Sequence, residues 1–172
     1  MRYNINTRGG EKWGKVVPSG KYQKGGPAMT LVFRHNLDAK NRLFIPAKFR
    51  EELGTEFVIA ANLHPGVHCL NIYTVEEWEK YIRPIMEKPR VEAEKILRKL
   101  NRLATRVTPD SQGRVLLPES LTAYIGAGGE DREMVINGCG FYAEIWTAKA
   151  YDEMLAEEDS DEIAATLLSY GM

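Results

Sequence analysis

One ten-residue frame occurs twice in this chain. Leu37-Asp38-Ala39-Lys40-Asn41-Arg42-Leu43-Phe44-Ile45-Pro46 is answered by Pro109-Asp110-Ser111-Gln112-Gly113-Arg114-Val115-Leu116-Leu117-Pro118. In both copies an acid, two linkers, a turn residue and an arginine precede three apolar residues and a proline. The match continues past the proline: Phe49 pairs with Leu121, Leu53 with Ile125 and Gly54 with Gly126, all at an offset of 72 positions. A second anchor follows, where Ile72-Tyr73-Thr74 answers Ile145-Trp146-Thr147 at an offset of 73. A repeat this long, with one inserted residue, requires a fold built from two copies of one supersecondary unit.

Each copy reads in the same order. Leu31-Val32-Phe33 begins a strand, Asp38 to Asn41 form a turn, and Leu43-Phe44-Ile45 is a second strand. Pro46 then sits where a first helical turn tolerates a missing N–H, and the helix 47–53 stops at Gly54. Phe57-Val58-Ile59 and Cys69–Tyr73 form a strand pair around the Leu63-His64-Pro65-Gly66 loop. In the second copy Val115–Leu117 leads to Pro118, a helix and Gly126. Glu133–Ile136 and Phe141–Trp146 then flank an Asn137-Gly138 turn, a strong hairpin signal. Between the copies a helical stretch opens at Val75, with Thr74 as N-cap and Glu77 three residues on, and is interrupted by Pro84 and Pro89. A helix over Arg90–Arg106 carries Ile96, Leu100 and Leu103 on one stripe with Leu97 beside them. Its Lys95, Arg98, Lys99, Arg102 and Arg106 read as a solvated face, or as cations that meet phosphate.

The expected organisation is therefore an extension over 1–28, a first module over 30–79, a helical connector over 80–105, a second module over 106–149 and an acidic helix or tail over 150–172. The extension, rich in Gly, Lys and polar residues, reads as disordered. It is either a basic arm for phosphates or, as we prefer, no part of the natural protein. Lys24-Gly25-Gly26 is what a purine-rich ribosome-binding stretch would encode, which makes Met29 the expected start.

Charge has to be read by region. The chain of 172 residues has a net charge of −1 and is 44% hydrophobic, enough for a real core. Residues 1–28 net +5 and residues 152–172 net −7, leaving a core of +1. The acidic end hides a near-neutral core with local basic patches, so net charge neither supports nor excludes DNA. No apolar run reaches membrane-spanning length, and there is no hydrophobic signal core. Cys69 and Cys139 form no CxxC pair, which suits a reducing compartment and excludes a disulfide scaffold. Cytoplasm is the expected location.

The chemistry lies in the two Asp-x-x-x-Arg turns. An arginine that opens a strand just after a tight turn projects a planar fork from a rigid support, suited to phosphate oxygens or the guanine edge. The aspartate can hold the guanidinium through a bidentate pair and accept hydrogen bonds from turn amides. A lone pair of this kind would merely staple its turn; repetition in the same frame points to function. Lys40 adds a cation in the first copy, where the second has neutral Gln112.

Other constellations are weaker. His64, His68 and Cys69, with His35, have metal-ligand residue types, but Pro65-Gly66 marks a loop, so the histidines share no helix face. Tyr73, Trp78, Trp146 and Tyr151 could stack on bases, yet their apolar neighbours favour packing. Gly126, Gly128, Gly129, Gly138 and Gly140 form no P-loop or dinucleotide fingerprint. Neither paired carboxylates nor a Ser/His/Asp grouping falls on matching frames, so an enzyme has no support, and no cofactor, metal or small-molecule substrate is expected.

The sequence Leu37-Asp38-x-Lys40-x-Arg42-Leu43-x-Ile45-Pro46-Ala47-x-Phe49-Arg50 resembles the signature of the MraZ family of bacterial transcriptional regulators. Tyr73 with Glu77-Trp78, Asp110-x-x-Gly113-Arg114 and Glu144-Ile145-Trp146 also match, and the similarity covers roughly residues 30–155. The resemblance implies a β-rich α+β fold of two tandem SpoVT-AbrB swapped-hairpin modules packed as a pseudo-twofold unit, with connecting and C-terminal helices. It further implies sequence-specific binding to double-stranded DNA at promoter repeats of the division and cell-wall gene cluster, with repression there. Assembly into a ring with the Asp-x-x-x-Arg faces toward DNA, in association with the nucleoid, belongs to the same expectation. The DNA-binding candidates carried over are Asp38, Lys40 and Arg42, then Asp110 and Arg114. The family usually has Gly where this chain has Asn41; asparagine enters the left-handed region more readily than other non-glycine residues, so the turn is expected to persist. AbrB-type folds also serve as antitoxins, and Asp152–Glu162 followed by Ile163, Leu167 and Leu168 is the candidate tail for a toxin partner.

Overall fold

The computed structural model describes Met29, residues 31–158 and residues 160–172. The reading of residues 1–28 lies outside the described residues. Each repeat supplies four strands and its own helices. The first gives β1 (Val32–Asn36), β2 (Arg42–Phe44), α1 (Ala47–Leu53), β3 (Phe57–Ala61), β4 (Leu70–Thr74), α2 (Val75–Met86) and α3 (Arg90–Arg102). The second gives β5 (Ala104–Val107), β6 (Arg114–Leu116), α4 (Glu119–Tyr124), β7 (Glu133–Gly138), β8 (Ala143–Thr147), α5 (Ala148–Glu157) and α6 (Ser160–Ser169).

The strands do not pair within their own repeat alone. Six form one sheet in the order β1-β7-β8-β4-β3-β5, and β2 and β6 form a separate two-stranded ribbon. Read from either edge, the sheet order runs first, third and fourth strand, with the first strand taken from the opposite repeat. β1 thus lies on β7 with Phe33 opposite Ile136, and β5 lies on β3 with Thr105 opposite Ile59. At the centre β4 meets β8, placing Leu70 opposite Ile145 and Ile72 opposite Ala143. This is the pseudo-twofold, exchanged-strand arrangement the repeat demands.

Side-chain alternation explains why both faces are covered. All five residues of β3 are buried. Phe57, Ile59 and Ala61 face one core, and Val58 and Ala60 face another, as a period of two requires. The first core is common to both repeats. It joins Ile59, Ile72, Ile136 and Ile145 of the sheet to Leu43 and Val115 of the ribbon and to Phe49 and Leu121 of α1 and α4. The opposite face is divided, with Tyr73 and Trp78 under α2 and α3, and Val135, Trp146 and Tyr151 against α5.

Helix ends follow local chemistry. Pro46 and Pro118 precede α1 and α4, and their carbonyls accept from Arg50 and Thr122 amides, each at 3.1 Å. Gly54, with φ +81, closes α1. Thr74 caps α2 by accepting from the Glu77 amide at 3.1 Å, and Thr147 caps α5 in the equivalent way from Ala150.

Four details depart from the sequence reading. Asn137 and Gly138 are in the ladder of β7, opposite Glu144 and Ala143, because Val32 of β1 also pairs with Asn137 and prolongs the strand. The reversal falls on Cys139–Tyr142, where Gly140 takes φ +86 and the Cys139 amide donates to Tyr142 at 2.8 Å. Helix α3 ends at Arg102 rather than Arg106, because Ala104–Val107 is recruited to the free edge of β3. Pro84 lies inside α2, only two residues before its end, and does not split it. Finally, Ala93 and Leu100 are the buried residues of α3, while Ile96 is exposed, so the packed stripe is rotated from the one expected.

Because β1 and β5 complete each other's repeat, neither repeat holds a full sheet half by itself. A fragment spanning residues 29–103 is expected to fold only by pairing with a second copy or with the missing half. Circular dichroism and sedimentation would check this; a folded, cooperatively melting monomer would contradict the strand exchange.

Candidate nucleic-acid interface

The two repeated turns have one geometry. In the first, the Asp38 carboxylate accepts from the Lys40 amide at 2.8 Å and the Arg42 amide at 3.0 Å, and its second oxygen accepts from Arg42 Nε at 2.6 Å. In the second, Asp110 accepts from the Gln112 and Arg114 amides, each at 2.9 Å. Its other oxygen accepts from Arg114 Nε at 2.9 Å and from Nη2 at 2.7 Å. Backbone bonds close both turns, from Asn41 to Asp38 at 2.9 Å and from Gly113 to Asp110 at 2.8 Å. Position four of each turn needs a left-handed residue. Gly113 supplies φ +77, and Asn41 supplies φ +56, the one positive value at a non-glycine among the described residues. The expectation that asparagine would sustain the turn therefore holds.

The turns feed directly into the ribbon. Arg42 lies opposite Leu116, Leu43 opposite Val115, and Phe44 opposite Arg114. Leu43 and Val115 are buried in the shared core, so alternation turns Arg42, Phe44, Arg114 and Leu116 to the outer face. Both arginines thus share one face, their backbone positions offset by two residues, about 7 Å along the strand direction. Leu116 is 58% exposed beside them, and Phe44 packs on His35 with ring centroids 4.9 Å apart. Lys40 is exposed at the turn itself.

The two heads differ in how tightly the fork is held. Asp38 engages Arg42 through Nε, which leaves the two terminal nitrogens for a ligand. Asp110 engages both Nε and Nη2 of Arg114, which leaves fewer. The side chains of both pairs are about one-third exposed: 31% for Arg42, 32% for Asp38, 28% for Arg114 and 36% for Asp110. Exposure of this kind makes the pair a geometric device more than a source of stability.

Two arginines outside the repeated turns also reach them. Arg132, just before β7, donates from Nε to the Leu37 carbonyl at 3.2 Å and from Nη2 to the Asp38 carbonyl and to Asn41 Oδ1, the latter at 3.1 Å. Arg50 of α1 donates to the Ile45 carbonyl at 2.9 Å and lies against Gly113. Sequence reasoning did not assign either a role, although Arg50 closes the MraZ-like signature and the stretch from Ala127 to Arg132 is longer than its counterpart.

The remaining candidates are placed as follows. Tyr73, Trp78, Trp146 and Tyr151 are buried in the two outer clusters, so they pack rather than present free faces. Cys69 is buried, and burial pushes its thiol up to about 12. Among the described residues, no three His, Cys, Asp or Glu side chains are placed to share a metal ion, and no helix is long and apolar enough to cross a membrane.

A family model described as "MraZ protein, putative antitoxin-like" matches twice, over residues 32–101 and 100–169. The chain belongs to the MraZ family. It is 36% identical over 144 residues to the "Transcriptional regulator MraZ" of Halothermothrix orenii, covering 81% of this chain and 96% of that protein. It is 35% identical over 142 residues to the protein of the same name from Carboxydothermus hydrogenoformans, covering 80% and 95%. With the one from Moorella thermoacetica it shares 36% identity over 135 residues, 77% and 90% of the two chains. The two matches of the MraZ model meet near residue 100, just before β5, so the doubling in the sequence is the doubling of the family's own unit.

The carboxylates give the turns a pH signature. Hydrogen bonds from the Arg42 amide, then from its side chain and the Lys40 amide, lower Asp38 from 3.8 to about 2. Bonds from the Arg114 side chain and amide lower Asp110 from 3.8 to about 2. Depressed values mean that the unfolded chain binds more protons in this interval. The turns' contribution is therefore complete above about pH 4 and is lost as pH falls toward 2. NMR titration of both carboxyl groups is expected to give midpoints near 2; an ordinary midpoint for either would remove its buttressing role.

Proposed function

We propose that this chain is a sequence-specific transcriptional repressor that binds double-stranded DNA at repeated operator motifs in the promoter of the division and cell-wall gene cluster, which includes its own gene. The observation that carries this reading is the placement of two equivalent arginine forks on the outer face of one two-stranded ribbon. The major groove of B-DNA admits such a ribbon, and arginine can pair in bidentate fashion with O6 and N7 of guanine. In this reading Arg42 and Arg114 reach base edges or phosphates, Asp38 and Asp110 orient them, and Lys40 neutralises phosphate. Relatives named transcriptional regulators support the same assignment.

Two forks are too few for tight binding. Self-association into a ring, with several ribbons facing DNA, would turn successive contacts into intramolecular ones and raise avidity on phased repeats. The net +1 of residues 29–151 fits this economy of charge, since affinity then comes from the number of heads rather than from a broad basic surface. The work is done in the cytoplasm at the nucleoid.

A second reading is an antitoxin-like interaction module whose C-terminal tail binds a toxin. Helix α6 favours it, since none of its residues is buried and Ile163, Leu167 and Leu168 are exposed. A small toxin gene beside this one would favour that reading; neighbouring cell-wall genes favour the repressor.

Fluorescence anisotropy with duplex DNA from upstream of the chain's own gene, beside a shuffled duplex and a salt titration, tests the proposal. Arg42→Ala is expected to lose about 1–3 kcal/mol per head and to erase the preference for the upstream duplex. Lys40→Ala should weaken both duplexes more evenly and reduce the salt slope by about one per head. Undiminished operator affinity in folded Arg42→Ala protein would sink the assignment. Equal, steeply salt-dependent binding to both duplexes would mean a nonspecific DNA binder instead.

A further inference from the structure

The two turns are equivalent in sequence, yet each is held from the other repeat by a different device. Over the turn of the second repeat lies Arg50 of the first. An added Cβ at Gly113 would sit 2.9 Å from both Cζ and Nε of Arg50, so a side chain there would displace the guanidinium that lies over the turn. Arg50 is fixed in turn by its bond to the Ile45 carbonyl, and the Ile45 amide donates to the Gly113 carbonyl at 2.9 Å. Thr122 occupies the place of Arg50 in the second repeat, 72 positions on, and is too short to reach across in the same way.

The turn of the first repeat is met by Arg132 instead. It arises from the six residues 127–132 between Gly126 and β7, where the first repeat has only Thr55 and Glu56 between Gly54 and β3. Its guanidinium takes the carbonyls of Leu37 and Asp38 and the side-chain oxygen of Asn41. The Leu37 amide returns a bond to the Arg132 carbonyl at 2.8 Å, and the Leu117 amide donates to the Asn41 carbonyl at 2.9 Å. With Thr122 rather than an arginine in the place equivalent to Arg50, the fourth turn position here carries a side chain. Asparagine provides the acceptor that glycine lacks.

We propose that Arg132 is the positioning residue of the Asp38–Arg42 head, as Arg50 is of the Asp110–Arg114 head, and that Asn41 is the partner through which Arg132 acts. Arg132 fixes the backbone on both sides of the Asp38 side chain. Asp38 then fixes Nε of Arg42, so the direction of the fork is set from the second repeat. A planar guanidinium can bond several acceptors at once, whereas an ammonium meets them as a point charge. The part of this inference that concerns DNA rests on the function proposed above; the clamp itself does not.

Two measurements on the full chain separate these parts. Amide hydrogen exchange reads the turns without DNA. Arg132→Ala is expected to speed exchange at Lys40 and Arg42 while leaving Gln112 and Arg114 unchanged, and Arg132→Lys should restore only part of the protection. Unchanged exchange at Lys40 and Arg42, or equal acceleration in both turns, overturns the clamp. Anisotropy with the upstream duplex reads the consequence. Arg132→Ala should weaken binding on the order of tenfold, within the range of coupling between contacting groups. In an Arg42→Ala background, Arg132→Ala should cause no further loss. A full further loss in that background means that Arg132 acts elsewhere, and overturns the positioning role. If Arg42→Ala itself binds as the native chain does, the DNA reading fails and hydrogen exchange alone decides the clamp.

Discussion

Exchange of strands between the repeats is the constraint on which the rest of this molecule depends. β1 is held by β7 and β5 by β3, and the ribbon that carries the candidate site exists only because β2 of one repeat pairs with β6 of the other. Leu43 and Val115 anchor that ribbon in the one core to which both repeats contribute. Large-to-small changes at such fully buried positions cost about 2–5 kcal/mol. Here the loss would fall on the interface between repeats and on the site together. Fold and site are therefore not separable layers, because the same pairing makes both.

Rigidity follows from where the acids stand. An arginine side chain carries rotamer entropy of about 2 kcal/mol, part of which must be lost when the fork is fixed on a ligand. Asp38 and Asp110 each accept two backbone amides on one oxygen and the guanidinium on the other. The fork is thus partly ordered before any ligand arrives. The same carboxylates cancel the charge of the arginines they hold, so the heads gain direction at the expense of net positive charge. That trade suits recognition by geometry and disfavours indiscriminate adhesion to phosphate.

Much of this was legible in the sequence, and for identifiable reasons. The offset of 72 exposed the repeat. Proline at 46 and 118 and glycine at 54 marked helix limits, and the apolar run Phe57-Val58-Ile59 marked a strand. Signals that act over a few residues were readable because the groups that decide them are neighbours in the chain. The errors share the opposite property. Asn137-Gly138 carries a strong local turn signal, but β1 pairs along it and makes it strand. Residues 104–106 continue a helical pattern, but the edge of β3 draws them into the sheet. Arg132 lies 94 positions from Asp38, and no pattern in the sequence joins them. Asp38, Arg42, Asp110 and Arg114 stand out because they repeat; Arg132 and Arg50, which meet these turns from the other repeat, have no counterparts at the repeat offset.

That asymmetry bears on what the site can read. In a homodimer a true twofold imposes identical heads, and the DNA half-sites it favours mirror that symmetry. Here the twofold is approximate and both halves lie in one chain, so each head is free to diverge. The first head has Lys40, an asparagine turn and a fork held at Nε alone. The second has Gln112, a glycine turn covered by Arg50 and a fork held by two bonds. The first therefore offers more charge and more free donors than the second. Under the proposed function the two heads would make unequal contacts with the bases they face, so the motif read by one chain need not be a palindrome. Under that proposed function, copies of the chain that present the same pair of unequal heads in the same order would fit a direct repeat of an asymmetric motif.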